Sequence, residues 1–342
     1  MSHLNLFLAF EVFGFAAFVA ILAREIYQGN RQRVFEILSC AVFGLILEVG
    51  DIYLGQAYSY NPAFLIKIAG VPLVIGLGWA VIIYCAMLLS DQYRIPWKLR
   101  PFMDALTAII LDLAIDAVAI RLGFWKWAIP LDQEFYGVPM ENLVGWVLLV
   151  LAFSFVIRFI RTLNVKRTLT KVLMFLSPAL AYFLMLLGML TFNFIILLPY
   201  QINHWSSRII FNRHPDLAVL YNPQVQLWKT AVFVILLVEL INIVVWAIVK
   251  NRRKYLWRFD LLSFVLMSGL HLFFFVAIFI SDISLQLPIL GIIAILSFFT
   301  YGLLHFLPYL LRPGTVYFFK GAEKVLIKEE TKLEKIIEAE FR

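Results

Sequence analysis

Long apolar stretches alternate with short polar ones along almost the whole chain. A helix crosses the hydrocarbon core of a bilayer with about 20 predominantly apolar residues. The pattern predicts nine such spans, at residues 4–26, 34–54, 69–89, 102–122, 141–162, 171–198, 229–249, 259–281 and 286–311. The sequence therefore predicts an all-α fold of the polytopic helical membrane class.

Composition excludes a soluble protein. Hydrophobic residues make up 63% of the 342 residues and charged residues only 15%, and the mean hydropathy is +0.89. Soluble domains are about half apolar and a quarter charged, so lipid is the expected solvent. The two cysteines, Cys40 and Cys85, both lie in apolar runs, which excludes a disulfide framework or a zinc cluster.

The net charge of +7 does not indicate nucleic acid, because the basic residues lie between the apolar runs and form no single patch. Cytoplasmic loops of membrane proteins carry an excess of Lys and Arg. With the N-terminus outside, the inner loops and the tail hold 23 basic residues and the outer loops hold 6. The sequence thus predicts an outer N-terminus and an inner C-terminus.

Three regions follow from this pattern. Residues 1–165 form an N-terminal transmembrane region that carries the candidate site, with repeat copies at 47–84 and 114–151. Residues 166–312 form a C-terminal transmembrane region to which the sequence assigns no role. Residues 313–342 are charged and amphipathic, and we interpret them as a cytoplasmic tail at the membrane surface.

The internal repeat is the most informative feature of the sequence. Residues 70–79 read GVPLVIGLGW and residues 137–146 read GVPMENLVGW, so Gly, Val, Pro, Gly and Trp recur at an offset of 67. The same offset maps residues 58–60, YSY, onto residues 125–127, WKW. Sites in membrane proteins built from repeats tend to lie where the copies meet.

The small residues of the repeat predict how each helix begins. Pro72 and Pro139 should lie at or just before a helix start, where the missing N–H has no cost. Gly70 and Gly137 should permit the tight turn that leads into each helix.

The aromatic residues of the repeat have two interpretations. Trp79 and Trp146, about two turns into their helices, either pack between helices or line a ligand. The aromatic pairs at the outer interface either belong to an interfacial belt or contact a ligand; these residues are Tyr58, Tyr60, Trp125 and Trp127.

Carboxyl groups occur inside the predicted spans, where a charge is costly. They include Glu11, Glu48, Asp51, Asp112, Asp116 and Glu239, with Glu141 at a helix entrance. Glu48 and Asp51 are three residues apart, and Asp112 and Asp116 are four apart, so each pair shares a helix face. The repeat places both pairs in comparable positions, and we expect them to converge on one pocket.

Such a cluster should keep at least one protonated acid, which suits general acid catalysis. A proton relay, a cation site or structural hydrogen bonding between helices would use the same residues. His271 and His305 lie alone in their spans, without the spacing of a metal-binding pair. We therefore expect no metal, nucleotide or redox cofactor.

Residues 112–146 resemble the signature of the membrane-integral carotenoid biosynthesis proteins, which include the bisanhydrobacterioruberin and γ-carotene hydratases. The matching positions are Asp112, Asp116, Gly123, Trp125, Trp127, Tyr136, Gly137, Val138, Pro139, Asn142, Gly145 and Trp146. The first half of the family pattern is similar at Glu48, Tyr58, Tyr60, Gly70, Val71, Pro72, Leu73 and Trp79. Ala117 stands where the family has proline, and the resemblance covers about residues 40–150.

The resemblance implies water addition to the terminal double bond of a linear carotenoid end. Asp116 or Asp51 would protonate the alkene, and Glu48, Asp112 or Glu141 would orient the water. Aromatic faces would stabilise the cation. The expected substrate-binding residues are Tyr58, Tyr60, Trp79, Trp125, Trp127, Tyr136, Asn142 and Trp146.

The expected partners are a carotenoid or other long isoprenoid, membrane lipids, and a membrane protein or a second copy of the chain, but no nucleic acid. The expected location is a prokaryotic plasma membrane. Three other functions remain as alternatives. A cyclase would let an internal alkene capture the cation. A transporter or a lipid- or carotenoid-binding membrane protein would use the acids as a proton relay. A non-catalytic assembly subunit would use the four C-terminal spans as a docking surface.

Overall fold

The computed structural model describes residues 3–55, 58–93, 95–163, 167–204, 223–251 and 259–311. The predicted tail at 313–342 lies outside the described residues. Nine helices of 20 residues or more occur in the described part of the chain: α1 (His3–Tyr27), α2 (Arg31–Gly50), α3 (Leu73–Gln92), α4 (Arg100–Ala119), α5 (Met140–Thr162), α6 (Arg167–His204), α7 (Pro223–Asn251), α8 (Leu261–Ile280) and α10 (Pro288–Leu311). The short helix α9 (Ile283–Gln286) connects the last two.

Seven of these helices are both long enough and apolar enough to cross a membrane. The other two are α2, which carries Glu48, and α4, which carries Asp112 and Asp116. The mostly helical fold is thus confirmed in the described residues, and seven of the nine expected spans are helices able to cross a membrane. Membrane crossing by α2 and α4 stays a prediction.

Burial explains why α4 tolerates its acids. Sixteen of its 20 residues are buried, and it packs against α3, α5, α7, α8 and α10. Its side chains therefore meet protein and not lipid, and polar groups inside a membrane protein are tolerated where they face the bundle interior. The peripheral helices α6 and α7 are largely uncovered by protein, as expected of surfaces that meet lipid.

Four short strands depart from the all-α prediction. Strands β2 (Lys67–Ile68) and β3 (Val71–Pro72) pair with each other, and β1 (Tyr58–Tyr60) pairs with β4 (Trp125–Trp127). Both members of the second pair are the aromatic segments of the repeat. The helical periodicity of the spans contained no signal for these strands.

The predicted helix starts are confirmed. Pro72 and Pro139 are the residues immediately before α3 and α5, with φ of −60° and −61°. Gly70 and Gly137 have φ of +78° and +85°, a left-handed conformation that glycine adopts without the steric cost of a Cβ.

Equivalent positions of the repeat meet in space. Strands β1 and β4 are antiparallel, and Ser59 lies opposite its counterpart Lys126. The rings of Trp79 and Trp146 are 4.3 Å apart between centroids. A two-fold axis between two copies would produce both contacts, and the origin of the two segments as a repeat stays a prediction.

Candidate active site

The carboxylate of Glu48 lies near the C-terminal end of α2, just before a single π-helical turn at Asp51–Gly55. It is 5% exposed. Its Oε2 accepts hydrogen bonds from the hydroxyl of Tyr58 and, at 2.6 Å, from that of Tyr60. Its Oε1 accepts from the indole Nε1 of Trp79 at 2.7 Å. Three donors from two other elements therefore surround one buried carboxylate.

The tyrosines reach Glu48 because of the β1–β4 pairing, which we call the aromatic ladder. Alternate residues of a strand point to the same face, so both tyrosines and both tryptophans of the ladder lie on one side. The ring of Tyr58 is 4.6 Å from that of Trp127, and the ring of Tyr60 is 6.1 Å from that of Trp125.

Asn61 holds the ladder in place: its backbone N–H donates to Phe124 at 3.0 Å, and its side chain donates to the carbonyl of Gly123 at 2.7 Å. The tyrosine hydroxyls of the ladder remain protonated, because burial and then the Glu48 carboxylate raise the pKa of Tyr58 and of Tyr60 well above their ordinary value. They act as hydrogen-bond donors to Glu48.

The second acidic pair lies on α4. Asp112 and Asp116 are 0% and 3% exposed. The side-chain amide of Asn142, in the first turn of α5, donates to Oδ2 of Asp116. No other described residue donates a hydrogen bond to either oxygen of Asp112, and its carboxyl is within hydrogen-bonding reach of that of Asp116.

The two acidic pairs lie near each other, and their convergence on one pocket stays a prediction. Glu48 is close enough to interact electrostatically with both Asp51 and Asp116. Asp112 interacts with Asp116 and therefore belongs to the same group of carboxyl groups. We call these four residues the acid cluster. Trp79, a donor to Glu48, contacts Trp146, which lies one turn after Asn142, the donor to Asp116.

Glu141 forms its ion pair with a residue outside the acid cluster. Its carboxylate forms an ion pair with Lys229 of α7 at 2.6 Å, and Lys229 also contacts Glu134 at 3.2 Å. The other oxygen of Glu134 accepts the backbone N–H of Met140 at 2.6 Å. Burial and then the charge of Glu141 raise the pKa of Glu134. The sequence predicted Glu141 next to the acid cluster, whereas its partner in the structure is a lysine from the C-terminal region.

Tyr136 also lies apart from the cluster. It occupies the turn before α5 with a φ of +51°, and its carbonyl accepts a hydrogen bond from Arg121 at 2.7 Å. The structure therefore brings together the other residues predicted for the site, whereas Tyr136 lies in the turn before α5, and Glu141, in the first turn of α5, pairs with Lys229.

Several polar residues were missed by sequence reasoning. At the other end of α4, Asp104 pairs with Arg158 of α5 at 2.9 Å, and Arg158 also donates to Ser90 at 2.7 Å. Arg158 further pairs with Asp91. The signal was present, since Asp104 and Arg158 both fall inside predicted spans, but Arg158 was counted only as a marker of orientation.

Two further contacts involve residues without a motif. Both carboxylate oxygens of Glu11 accept the backbone N–H of Leu65, at 3.0 and 3.2 Å, which fastens the loop after the ladder to α1. The hydroxyl of Tyr182 on α6 occupies the space that a Cβ on Gly50 would fill, and it interacts with Asp51. The C-terminal region therefore contributes to the surroundings of the acid cluster.

The two histidines of the predicted spans are buried within the helix bundle. His271 and His305 are buried on α8 and α10, and His305 contacts the hydroxyl of Tyr301 at 2.6 Å. Among the described residues, no group of three or more His, Cys, Asp or Glu side chains has the arrangement of a metal site.

A bundle of apolar helices around buried carboxyl groups defines an integral membrane protein with a polar site in its interior. Residues 6–205 match the family model described as "Carotenoid biosynthesis protein", and the chain belongs to that family. The match covers α1–α6, and therefore the whole acid cluster and the aromatic ladder.

A shorter segment is similar to a characterised relative. Over 42 residues the chain is 43% identical to the bisanhydrobacterioruberin hydratase of Haloarcula japonica. This segment is 12% of the present chain and 13% of the length of that hydratase. No solved structure matches the chain.

Proposed function

We propose that this protein is a cofactor-independent hydratase that adds water to the terminal double bond of a linear carotenoid end. The observation that carries the proposal is a group of four neighbouring carboxyl groups, one of which accepts hydrogen bonds from the aromatic ladder, in a carotenoid biosynthesis protein. The similarity of one segment to a carotenoid hydratase supports the same reaction.

The reaction needs an acid, a cation-stabilising surface and a water site. A carboxylic acid of the cluster, with Asp116 as our first choice and Asp51 as the alternative, gives its proton to the inner CH carbon of the terminal double bond, so that the cation forms on the outer carbon with its two methyl groups. The C=C π electrons form the new C–H bond, and a tertiary cation remains. Water then forms a C–O bond with the cation, and a carboxylate accepts the released proton. The sum is one alkene and one water converted to one tertiary alcohol.

The ladder supplies the cation-stabilising surface. Aromatic rings attract a cation through their negative faces, by about 0.5–2 kcal/mol per ring. Four such rings lie together, and the adjacent Glu48 carboxylate adds a full negative charge. Both effects grow as charge develops on the substrate, and interactions of this kind accelerate a reaction.

Trp127 is our candidate for the water site. Its indole N–H is buried and has no hydrogen-bond partner among the described residues. Buried donors in proteins are normally paired, and a water molecule would be an acceptor here. Because its ring packs against Tyr58, a water on this N–H would lie beside the proposed cation.

The test is pigment analysis in a host that accumulates lycopene. Expression of the chain should give products heavier by one water per reacted end, by chromatography and mass spectrometry. Asp116→Asn should lower this product about 100-fold or more, as expected for loss of a general acid. The matched control is Asp132→Asn, which makes the same change on the exposed loop and should leave the product unchanged.

Unchanged pigment from a folded, membrane-inserted wild-type protein would contradict the proposal. A cyclic product of unchanged mass would indicate the cyclase, in which an internal alkene captures the same cation. Carotenoid that co-purifies without conversion would indicate the binding subunit, and proton-coupled movement of carotenoid across vesicles would indicate the transporter.

We further propose that all nine long helices span the membrane, with the N-terminus outside, in a prokaryotic plasma membrane. The distribution of 23 against 6 basic residues supports this orientation. The ladder would then lie at the outer interface, where a carotenoid end could enter from the lipid.

A further inference from the structure

Hydrogen-bond donors are distributed unequally over the acid cluster. Glu48 accepts three, from Tyr58, Tyr60 and Trp79. Asp116 accepts one, from Asn142. Asp112 accepts none from any described residue, although it is fully buried. The carboxyl groups of the acid cluster thus differ strongly in the number of hydrogen bonds that they accept.

Donors determine which carboxyl can hold a negative charge. Hydrogen bonds to a carboxylate favour its ionised form, and bonds to charged groups are stronger than neutral ones. A buried carboxylate without donors, in contrast, keeps the whole cost of leaving water. The charge therefore belongs on Glu48, and a proton belongs on Asp112.

The geometry of α4 connects this proton to Asp116. The two residues are four apart, one turn along the same face, and their carboxyl groups interact. Oδ2 of Asp116 already accepts the Asn142 amide. A hydroxyl on Asp112 can donate to the remaining oxygen, Oδ1, which would satisfy the group that has no other partner.

We propose that Asp112 and Asp116 share a single proton, which rests on Asp112 and is delivered through Asp116, while Glu48 stays ionised throughout. This inference rests on the proposed hydratase function and deepens it. Asp116 is then the catalytic acid. Asp112 is a positioning residue that holds the one proton of the pair and supplies it to Asp116. Glu48 is the fixed negative charge that stabilises the cation.

The proton balance closes over one turnover. The Asp112 O–H bond breaks as its proton passes to Asp116, and the proton of Asp116 forms the new C–H bond. The pair is then fully ionised opposite the carbocation. When water forms the C–O bond, its released proton returns to Asp116 and then to Asp112. No other proton donor or acceptor is required.

Infrared spectroscopy of the purified protein in detergent tests the shared proton without substrate. At neutral pH, difference spectra between wild type and Asp112→Asn should contain a carboxylic-acid C=O band that shifts in D₂O. Asp116→Asn should shift this band without removing it, because Asp112 would still be a buried carboxyl with no donor. Glu48→Gln, the matched isosteric change in the same cluster, should leave the carboxylic-acid band unchanged.

The inference is overturned if Asp112→Asn removes no such band, or if Glu48→Gln does. Should Asp112→Asn fail to fold, Asp112→Glu gives a second reading: the band should move in frequency and not disappear. In the pigment assay, Asp112→Asn should lower the hydrated product about 100-fold, and Asp112→Glu should restore part of it, which a packing role would not predict.

The two proposals fail in different ways. If wild type gives no hydrated product but the band belongs to Asp112, the hydratase function is wrong and the proton assignment stands. If the product forms but the band belongs to another residue, the function stands and the proton assignment is wrong.

Discussion

At the scale of single residues, the surroundings of Glu48 show how a carboxyl group inside a bundle of apolar helices obtains three hydrogen-bond donors. The indole of Trp79 is the donor that α3 contributes. The sequence predicted Trp79 near the site, but it left packing and ligand contact open. A hydrogen bond from an indole to a carboxylate 31 residues earlier in the sequence leaves no periodic signal, so only the structure could reveal it.

Replacing this donor gives a prediction at the same scale. Trp79→Phe keeps an aromatic ring but removes a hydrogen bond to a charged group, which contributes about 1.5–3 kcal/mol. We expect hydrated product to fall about tenfold or more, since about 1.4 kcal/mol corresponds to a factor of ten. Trp146→Phe, which alters the equivalent indole without taking a donor from Glu48, should cost less, as measured in the same pigment assay. Equal losses in the two variants would contradict this role of Trp79.

At the scale of elements, the acid cluster depends on how closely α2 and α3 pack. A Cβ on Gly44 of α2 would lie 2.7 Å from Cβ of Trp79, and a Cβ on Gly76 of α3 would lie 2.5 Å from Leu45. Small residues at such crossings let helix backbones approach closely in membranes. The helices and their proline starts were predictable from local patterns. The aromatic ladder was not, because pairing β1 with β4 joins segments 67 positions apart and depends on the packing between them.

The close packing of α2 against α3 predicts that a larger residue at Gly44 will destabilise the protein. Gly44→Ala should push α3 away from α2 and lengthen the bond between Trp79 and Glu48, with a loss of about 1–3 kcal/mol from overpacking. The apparent melting temperature in detergent and the yield of hydrated product should both fall. Gly78→Ala on α3 is the control, since a Cβ there meets nothing within 4 Å. If the Gly44→Ala protein is as stable and as active as the Gly78→Ala protein, the tight packing of α2 against α3 at Gly44 is contradicted.

At the scale of the whole molecule, charged residues lie at both ends of the α3–α5 core. The acid cluster and ladder lie towards one end, and the network of Asp91, Asp104 and Arg158 lies at the other. Sequence reasoning found the first end through the repeat. It missed the second because arginines near helix ends are typical orientation signals, and only the fold shows that Arg158 is 2% exposed. The contributions of Tyr182 and Lys229 were equally hidden, because no motif links the C-terminal region to the site.

The orientation of the whole molecule can be tested by cysteine labelling. With buried Cys40 and Cys85 replaced by alanine, a single cysteine is placed on an exposed loop position, by Gln28→Cys or by Asp132→Cys. A membrane-impermeant maleimide should label the second variant in intact cells and the first only after permeabilisation. The opposite pattern would reverse the predicted orientation and place the aromatic ladder on the cytoplasmic side.

The central claim is that water adds to a carotenoid end at the acid cluster, and its most direct test is the origin of the new oxygen. Membranes containing the protein would be incubated with lycopene in ¹⁸O-labelled water, and the product would be analysed by mass spectrometry. We predict one labelled oxygen per reacted end, and loss of that product in Asp116→Asn but not in Asp132→Asn. Oxygen derived from O₂, or labelled product of equal yield from Asp116→Asn, would contradict the account.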